Sequence, residues 1–203
     1  AICELAPIVP VLVIDDVHSA AALAKALVAG GLPALEVTLR TPAALEAIRV
    51  MADVQGGHVG AGTLITPADV RAAKEAGATF GVSPGATDEL LAACQDYDLP
   101  LLPGAATASE AMALLARGYD MMKFFPAEAS GGAAALKAIG APLPQISFCP
   151  TGGVTPENAG TYLSLANVVC AGGSWVAPKD LVAKQDWAGI TALARAAAGL
   201  GGC

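Results

Sequence analysis

Short runs of β-forming residues alternate with alanine-rich amphipathic segments along nearly all of this 203-residue chain. We predict strands at Ile8–Ile14, Ala34–Leu39, His58–Thr63, Thr79–Ser83, Leu101–Pro103, Met121–Phe125, Gln145–Cys149 and Val168–Ala171. A helical segment follows each strand, and the clearest are Ser19–Ala29, Pro42–Ala52, Pro67–Ala76, Asp88–Ala93, Ser109–Ala116, Gly132–Ile139, Pro156–Leu165 and Trp187–Ala198. Eight such units predict an α/β protein folded as a closed (β/α)8 barrel, the TIM barrel. An open doubly wound sheet is the alternative that the pattern alone leaves open.

The boundaries of these segments carry matching start and stop signals. Three helices are predicted to begin at a threonine N-cap followed by proline: Thr41-Pro42, Thr66-Pro67 and Thr155-Pro156. Glycines stand where a left-handed residue ends a helix, at Gly30-Gly31, Gly77 and Gly118. No linker, low-complexity run or charge block divides the chain, so residues 1–203 are predicted to form a single domain.

The overall charge argues against a nucleic-acid partner. The formal net charge is −7 and the sequence pI is about 4.7, whereas nucleic-acid binders carry a basic surface. The longest strongly apolar stretch, Ile8–Ile14, is far shorter than the ~20 residues that span a bilayer, so we predict no membrane partner. No basic and apolar signal segment opens the sequence, and a cytoplasmic location is the default expectation.

Histidine and cysteine usage argues against a metal centre and against a disulfide framework. Only two histidines occur, His18 and His58, and the five cysteines form no CxxC pair. Their odd number and scattered positions predict free, mostly buried thiols in a reducing compartment, at Cys3, Cys94, Cys149, Cys170 and Cys203.

One lysine lies inside an apolar, strand-like run. Lys123 is flanked by Met121, Met122, Phe124 and Phe125. Burial without a partner disfavours the charged ammonium form, and the neutral amine is the nucleophile that attacks a ketone. Lys123 is therefore a candidate catalytic residue. The alternative is a structural lysine whose charge reaches a strand end or pairs with a carboxylate.

Strand alternation brings several polar side chains to one side of the predicted sheet. On the second strand Glu36, Thr38 and Arg40 share a face, and Arg40 stands at the carboxyl end, where barrel active sites form. On the third strand we assign Val59, Ala61 and Thr63 to the inner face. Five polar residues then converge on one cavity: Glu36, Arg40, Thr63, Lys123 and Thr151. A buried Glu36–Arg40 pair that only adds rigidity is the structural alternative.

Two glycine clusters follow the last two predicted strands. Thr151-Gly152-Gly153 follows the seventh strand, and Gly172-Gly173-Ser174 follows the eighth. Loops at these two positions are the usual phosphate site of a (β/α)8 barrel. Because glycine lets backbone N–H groups approach phosphate oxygens closely, even an acidic protein can bind a phosphate here.

Six segments form a specific pattern when they are taken together: LEVTLRT (Leu35–Thr41), VGAGT (Val59–Thr63), SPG (Ser83–Gly85), KFFPAE (Lys123–Glu128), FCPTGG (Phe148–Gly153) and GGSW (Gly172–Trp175). In this order they resemble the family of 2-keto-3-deoxy-6-phosphogluconate (KDPG) aldolase, a class I aldolase of the Entner–Doudoroff pathway. The resemblance implies a (β/α)8 barrel, a homotrimer, and neither a metal nor an organic cofactor. It also implies a small keto acid phosphate as substrate, cleaved to pyruvate and glyceraldehyde 3-phosphate. Members are often active on 4-hydroxy-2-oxoglutarate (KHG) as well.

The resemblance also implies a role for individual residues. It places the Schiff-base lysine at Lys123, the proton-transferring glutamate at Glu36 and the carboxylate-binding arginine at Arg40. Further substrate contacts are implied at Thr63, Pro84, Phe125, Thr151, Gly152, Gly153, Gly173 and Ser174, the glycines and the serine around the phosphate. Three alternatives stay open: an aldolase for the galactonate epimer, one devoted to KHG, and a non-catalytic barrel that binds a sugar phosphate. A nucleotide-binding sheet is disfavoured because no GxGxxG or Walker loop occurs.

Overall fold

Strands and helices alternate along the chain as the sequence predicts. The computed structural model describes residues 2–201, and its strands are β1 (Ile8–Leu12), β2 (Ala34–Thr38), β3 (His58–Gly62), β4 (Phe80–Val82), β5 (Leu101–Leu102), β6 (Gly104–Ala105), β7 (Met121–Phe124), β8 (Ser147–Pro150) and β9 (Ala171–Gly173). The helices are α1 (Ala20–Ala29), α2 (Ala44–Ala52), α3 (Pro67–Glu75), α4 (Asp88–Asp96), α5 (Ala108–Leu115), α6 (Gly132–Gly140), α7 (Pro156–Leu163), α8 (Lys179–Ala183) and α9 (Trp187–Ala198). The short helix α8 and the strand β6 have no counterpart in the sequence prediction.

The parallel strands form a sheet that curls back on itself. Six strands pair in the order β5-β4-β3-β2-β1-β9, and three pair in the order β6-β7-β8. The first strand thus lies between the second and the last, with Val11 opposite Glu36 and Pro10 opposite Gly173. An open doubly wound sheet reverses its strand order near the middle, and the order of the described strands has no such reversal. The fold is therefore α/β, with a curled parallel sheet.

Pro103, the last residue of the fifth predicted strand (Leu101–Pro103), separates two short strands, and the second of them was not predicted. Proline has no backbone N–H to donate to a ladder, so β5 ends before Pro103 and β6 begins after it. β5 pairs with β4, whereas β6 pairs with β7. The Pro103 carbonyl still accepts a hydrogen bond from the backbone N–H of Lys123 at 2.8 Å. The chain therefore passes at this residue from one part of the sheet to the other.

The last strand lies later in the chain than predicted. The expected segment was Val168–Ala171, but β9 covers Ala171–Gly173, and Val168 makes only an isolated bridge to Phe148. The glycine pair of the second cluster consequently belongs to the strand and not to the loop after it. The prediction ended too early because glycine has a low β-propensity, whereas the ladder with β1 continues through both glycines.

The predicted helix signals are confirmed at two of the three threonines. Thr66 caps α3, with its hydroxyl accepting from the Asp69 N–H at 3.2 Å, and the Thr155 N–H at the start of α7 donates to Asn158 Oδ1 at 2.8 Å. The prediction for Thr41 is wrong, because its hydroxyl donates to the Ile14 carbonyl and α2 begins only at Ala44. The predicted helix-ending glycines are confirmed by the positive φ angles of Gly31, Gly77 and Gly118.

Two apolar clusters hold the elements together. The larger cluster includes Leu35 and Val37 of β2 and the buried faces of the helices around the sheet. The smaller one lies at the amino-terminal ends of the strands and combines Cys3, Val9, Ala34, Cys149 and Cys170. The four cysteines among residues 2–201 are free and buried, as predicted; Cys203 lies outside the described residues. The polar carboxyl ends of the strands are left open for a site.

Candidate active site

A buried amine and a buried carboxylate meet inside the curled sheet. Lys123 Nζ on β7 lies 3.3 Å from Glu36 Oε1 on β2, and the two side chains are only 7% and 3% exposed. The pair borders a cavity of about 270 Å³ rather than closed core. The ring of Phe125 also contacts the amine, with its centroid 5.1 Å from Nζ. An amine in this position has a proton acceptor beside it and open space in which a carbonyl compound can be attacked.

The cavity is lined by all but one of the site residues that the sequence analysis named. These are Glu36, Arg40, Thr63, Pro84, Lys123, Phe125, Thr151, Gly152, Gly153 and Ser174. Gly173 does not line it, because the ring of Trp175 occupies the position that a Gly173 side chain would take. Val11, Thr38, Val154 and Gly172 line it in addition. Strand alternation had already placed Thr38 beside Glu36, and the second glycine cluster included Gly172. Val11 and Val154 follow only from the three-dimensional arrangement.

The inner face of β3 is the opposite of the one predicted. A Cβ added to Gly62 would lie 2.3 Å from Glu36 Oε1, so the glycine face, and not the Val59 and Ala61 face, is turned towards the Glu36–Lys123 pair. Thr63 nevertheless lines the cavity, because it follows the strand with a φ of 64°. This left-handed conformation is rare for a β-branched residue and is typically retained at functional sites. Alternation predicted Thr63 in the cavity together with the wrong face of β3, because the backbone leaves the extended conformation at this residue.

Arg40 lines the cavity with an exposed side chain and does not pair with the Glu36 carboxylate. Its side chain is exposed, and it takes part in none of the ion pairs found within residues 2–201. The Glu36–Arg40 pair that was the structural alternative is therefore not formed, and Glu36 pairs with Lys123 instead. The Arg40 guanidinium is left available for an anionic group of a ligand, whose carboxylate can accept two parallel hydrogen bonds from it.

The glycine loop after β8 turns its carbonyl groups away from the cavity. The Thr151 carbonyl accepts from the Ala127 N–H at 2.8 Å, and the Gly152 carbonyl accepts from the Glu128 N–H at 3.1 Å. The Gly153 carbonyl accepts from Asn158 Nδ2 at 3.0 Å. Because C=O and N–H point in opposite directions across a trans peptide, the N–H groups of residues 152–154 face the other way. The N–H groups of Gly153 and Val154 have no backbone or side-chain acceptor within residues 2–201, whereas the Gly152 N–H lies on the side of the bridge between Thr151 and Gly172.

The residues that carry these N–H groups all line the cavity. Gly152 and Gly153 have φ angles of 98° and 78°, a backbone conformation that residues other than glycine rarely adopt. Consecutive N–H groups in such a turn are a known anion-binding arrangement. The Ser174 hydroxyl lines the same cavity from the end of β9. The two predicted glycine clusters thus reach the same cavity, although the second contributes Gly172 and Ser174 and not Gly173.

Within the described part of the chain, no three histidine, cysteine, aspartate or glutamate side chains come together as a metal site would require. No helix within residues 2–201 combines the length and the apolar character needed to cross a bilayer. The donors at the cavity are thus an amine, a guanidinium, hydroxyls and backbone N–H groups around one carboxylate. This set suits an organic anion.

The cavity has the groups that a class I carbon–carbon lyase needs: a buried amine, a carboxylate beside it, and donors for an anionic substrate. A family model described as KDPG and KHG aldolase matches residues 1–193. The 2-dehydro-3-deoxy-phosphogluconate aldolase of Pseudoalteromonas atlantica is 54% identical over 192 residues, which cover 94% of this chain and 89% of the relative. The chain belongs to the KDPG and KHG aldolase family.

Two solved structures show how closely this fold is shared. The KDPG aldolase of Zymomonas mobilis ZM4 with 3-phosphoglycerate has a TM-score of 0.94 at 50% identity, covering 98% of this chain and 94% of that one. The KDPG aldolase of Legionella pneumophila with pyruvate captured as a covalent carbinolamine intermediate also has a TM-score of 0.94, at 46% identity, covering 98% and 97%. The resemblance seen in the sequence motifs is therefore confirmed across the whole fold.

Proposed function

We propose that Lys123 is the Schiff-base residue with which this class I aldolase cleaves 2-dehydro-3-deoxy-6-phosphogluconate to pyruvate and glyceraldehyde 3-phosphate. The amine attacks the C2 keto carbon, and loss of water gives a protonated imine. The electron pair of the C3–C4 bond moves into this imine as the bond breaks, which releases the aldehyde and leaves an enamine. Protonation of the enamine at C3 and hydrolysis of the imine release pyruvate and restore the amine. The observation that carries the proposal is the 3.3 Å contact between Lys123 Nζ and Glu36 Oε1 at the cavity.

Glu36 is assigned the proton transfers of this reaction. Its carboxylate is the one that lines the cavity beside the amine. It accepts the proton of the C4 hydroxyl as the C3–C4 bond breaks, and it later returns a proton to the enamine carbon, directly or through a water molecule. General acid–base catalysis of this kind contributes about 10²–10⁴-fold.

The remaining lining residues bind and orient the substrate. Arg40 holds the carboxylate next to the keto group, with the hydroxyls of Thr63 and Thr151 as further donors. Pro84 and Phe125 pack beside the imine. The N–H groups of the Gly152-Gly153 loop and the Ser174 hydroxyl hold the phosphate. Cleavage of KHG to pyruvate and glyoxylate uses the same imine chemistry without the phosphate contact.

Reductive trapping tests the role of Lys123 directly. Sodium borohydride with pyruvate is expected to attach a three-carbon adduct to Lys123, detected by mass spectrometry of the digested protein. A Lys123→Met variant should lose the adduct, whereas Lys137→Met, which changes an exposed lysine on α6, should keep it. Wild-type protein that leaves Lys123 unmodified under these conditions would refute the imine.

A Glu36→Gln variant tests the assignment of the proton transfers. The amide can still contact Lys123 but cannot accept the C4 hydroxyl proton, so kcat should fall about 10²–10⁴-fold. Imine trapping by pyruvate should persist. A variant that fails to fold would instead favour a structural role for the pair. Comparing kcat/KM for KDPG, its galactonate epimer and KHG separates the three aldolase activities.

We further infer that residues 1–203 form one domain and that the curled sheet closes into a (β/α)8 barrel. One isolated bridge, Phe148–Val168, joins β8 to the segment before β9, and a second, Thr151–Gly172, joins the residue after β8 to β9. At the other side, Pro103 joins β5 to β6 without a gap in the chain. The bridges on one side, and the passage from β5, which pairs with β4, to β6, which pairs with β7, on the other, support closure of the two parts of the sheet into one ring.

We also infer a homotrimer in the cytoplasm. The trimer rests on the sequence resemblance, and Ile65 and Met112 supply large apolar side chains that are 60% and 57% exposed, as expected of surfaces buried between copies. The four free thiols support a reducing compartment. Light scattering coupled to size-exclusion chromatography should give three times the chain mass of 20.0 kDa, and a monomer mass would contradict the inference.

A further inference from the structure

Two residues outside the cavity hold the back of the glycine loop. Glu128 follows β7, and its carboxylate accepts a hydrogen bond from the Tyr162 hydroxyl on α7. A Cβ added to Gly153 would lie 2.6 Å from Glu128 Cγ, so the glutamate side chain lies directly against the loop. The backbone N–H of Glu128 also donates to the Gly152 carbonyl. Neither Glu128 nor Tyr162 lines the cavity.

We propose that Glu128 and Tyr162 are positioning residues for the phosphate group of the substrate. Tyr162 holds the Glu128 carboxylate, and Glu128 holds the loop in the shape in which the N–H groups of residues 152–154 converge on an anion. This inference rests on the proposed function, because it assigns the glycine loop to the phosphate. We refer to the two residues as the brace.

The geometry of the contact supports a positioning role. Gly153 is in a left-handed conformation. Any side chain at this position would overlap the Glu128 side chain, so only glycine fits. The Glu128 stem thus occupies the space into which the loop would otherwise relax. The Gly152 carbonyl and the Gly153 Cα are both in contact with this one residue, so a shift of Glu128 shifts the peptide groups that present the N–H donors.

The environment of Tyr162 keeps the brace in one arrangement. The residue is only 1% exposed, and a buried phenol hydroxyl needs a hydrogen-bond partner. Burial, and then the hydrogen bond to Glu128, raise the pKa of Tyr162 well above its ordinary value. The phenol therefore stays protonated and donates throughout the working pH range. Its bond draws the Glu128 carboxylate towards α7 and away from the N–H side of the loop.

The test compares two substrates that differ only in the phosphate. The values of kcat and KM are measured for KDPG and for the same sugar acid without its phosphate, using Tyr162→Phe, Glu128→Ala and Glu128→Gln. Tyr119→Phe, which removes a phenol hydroxyl on the loop before β7, is the matched control. Inorganic phosphate is used as a competitive inhibitor in the same assays, and thermal unfolding is recorded for every variant.

A positioning role predicts a selective effect. In Tyr162→Phe and Glu128→Ala the KM for KDPG and the inhibition constant of phosphate should rise on the order of tenfold, the usual effect of a lost hydrogen bond to a charged group. The kinetics of the unphosphorylated substrate should stay unchanged. Glu128→Gln should remain close to wild type because its amide oxygen still accepts from Tyr162, and Tyr119→Phe should match wild type.

Two results would overturn the brace. One is a fall in thermal stability with no change in KM for KDPG, which would make the contact purely structural. The other is an equal change for both substrates, which would place the effect outside the phosphate site. If Tyr162→Phe does not fold, the comparison of Glu128→Ala with Glu128→Gln decides the question. Pyruvate carries no phosphate, so its trapping on Lys123 tests the proposed function separately from the brace.

Discussion

Replacing Gly62 by alanine tests the geometry of the Glu36–Lys123 pair, and with it the proposed role of the pair, without changing either partner. The added Cβ would lie 2.3 Å from Glu36 Oε1, 2.7 Å from its Cγ and 2.8 Å from its Cδ. An ordinary contact begins near 3.4 Å, so the Glu36 carboxylate has to move by roughly 1 Å. The Lys123 amine, now 3.3 Å from that carboxylate, then loses its hydrogen-bonding partner.

The expected effects of Gly62→Ala on rate and stability differ in size. A displacement of about 1 Å at a catalytic group costs on the order of 10²-fold in rate, so kcat should fall about 10²-fold. Forcing a methyl group into a filled space destabilises a protein by about 1–3 kcal/mol, and the lower chain entropy of alanine offsets about 0.5–1 kcal/mol of this. The net loss of unfolding free energy should therefore lie between about 0 and 2.5 kcal/mol.

The assay couples pyruvate release to lactate dehydrogenase, and chemical unfolding gives the stability of the same preparations. Gly160→Ala is the control, because an alanine Cβ at this exposed position of α7 meets no atom within 4 Å. It should leave kcat unchanged and raise the stability by about 0.5–1 kcal/mol. A Gly62→Ala enzyme with the wild-type kcat would refute the reasoning, since the carboxylate would then tolerate displacement.

Three further outcomes are expected. Thr63→Gly should raise the unfolding free energy by about 1 kcal/mol, because it removes a side chain from a left-handed conformation, while kcat/KM falls with the lost hydroxyl; a decrease in stability would contradict the strain at Thr63. Burial raises the pKa of the Cys94 thiol to about 11 from 9.0, so its contribution to stability is complete below about pH 9 and is lost as the pH rises towards about 11. Chemical unfolding at several alkaline pH values should show that the unfolding free energy falls less with rising pH in Cys94→Ala than in wild type. An equal fall in both proteins would contradict the role given to the Cys94 thiol. Dialysis against EDTA should leave kcat unchanged because the imine supplies the electron sink, and a rate restored only by added metal would argue for a metal-dependent aldolase.

Local sequence patterns were sufficient for most of the secondary structure. The helix Trp187–Ala198 and the first residues of β1, β2 and β3 were predicted at the positions that the structure shows. These features depend on residue propensities, caps and periodicities that act within a few positions of each other. The predictions for Thr41 and for the last strand were wrong because a longer-range contact decided each. Thr41 donates to Ile14, 27 positions away, and the ladder with β1 extends β9 through two glycines.

Most of the candidate site could be named from the sequence, but not its contacts. Motif resemblance identified Lys123, Glu36 and the glycine loop, and alternation placed Thr38 beside Glu36. The structure added that the glycine face of β3 makes room for the Glu36 carboxylate and that Thr63 turns into the cavity through a positive φ. Alternation could not show this, because it assumes an extended backbone up to the last residue of the strand.

By itself, the amino-acid sequence determined the class of the fold and the family, and it named the amine for which we propose imine formation, because each is expressed in short segments of adjacent residues. Tertiary structure decided which groups meet. Lys123 and Glu36 are 87 positions apart, and Glu128 and Tyr162 are 34 positions apart. Contacts at such separations depend on the register and curvature of the whole sheet, which no local pattern encodes.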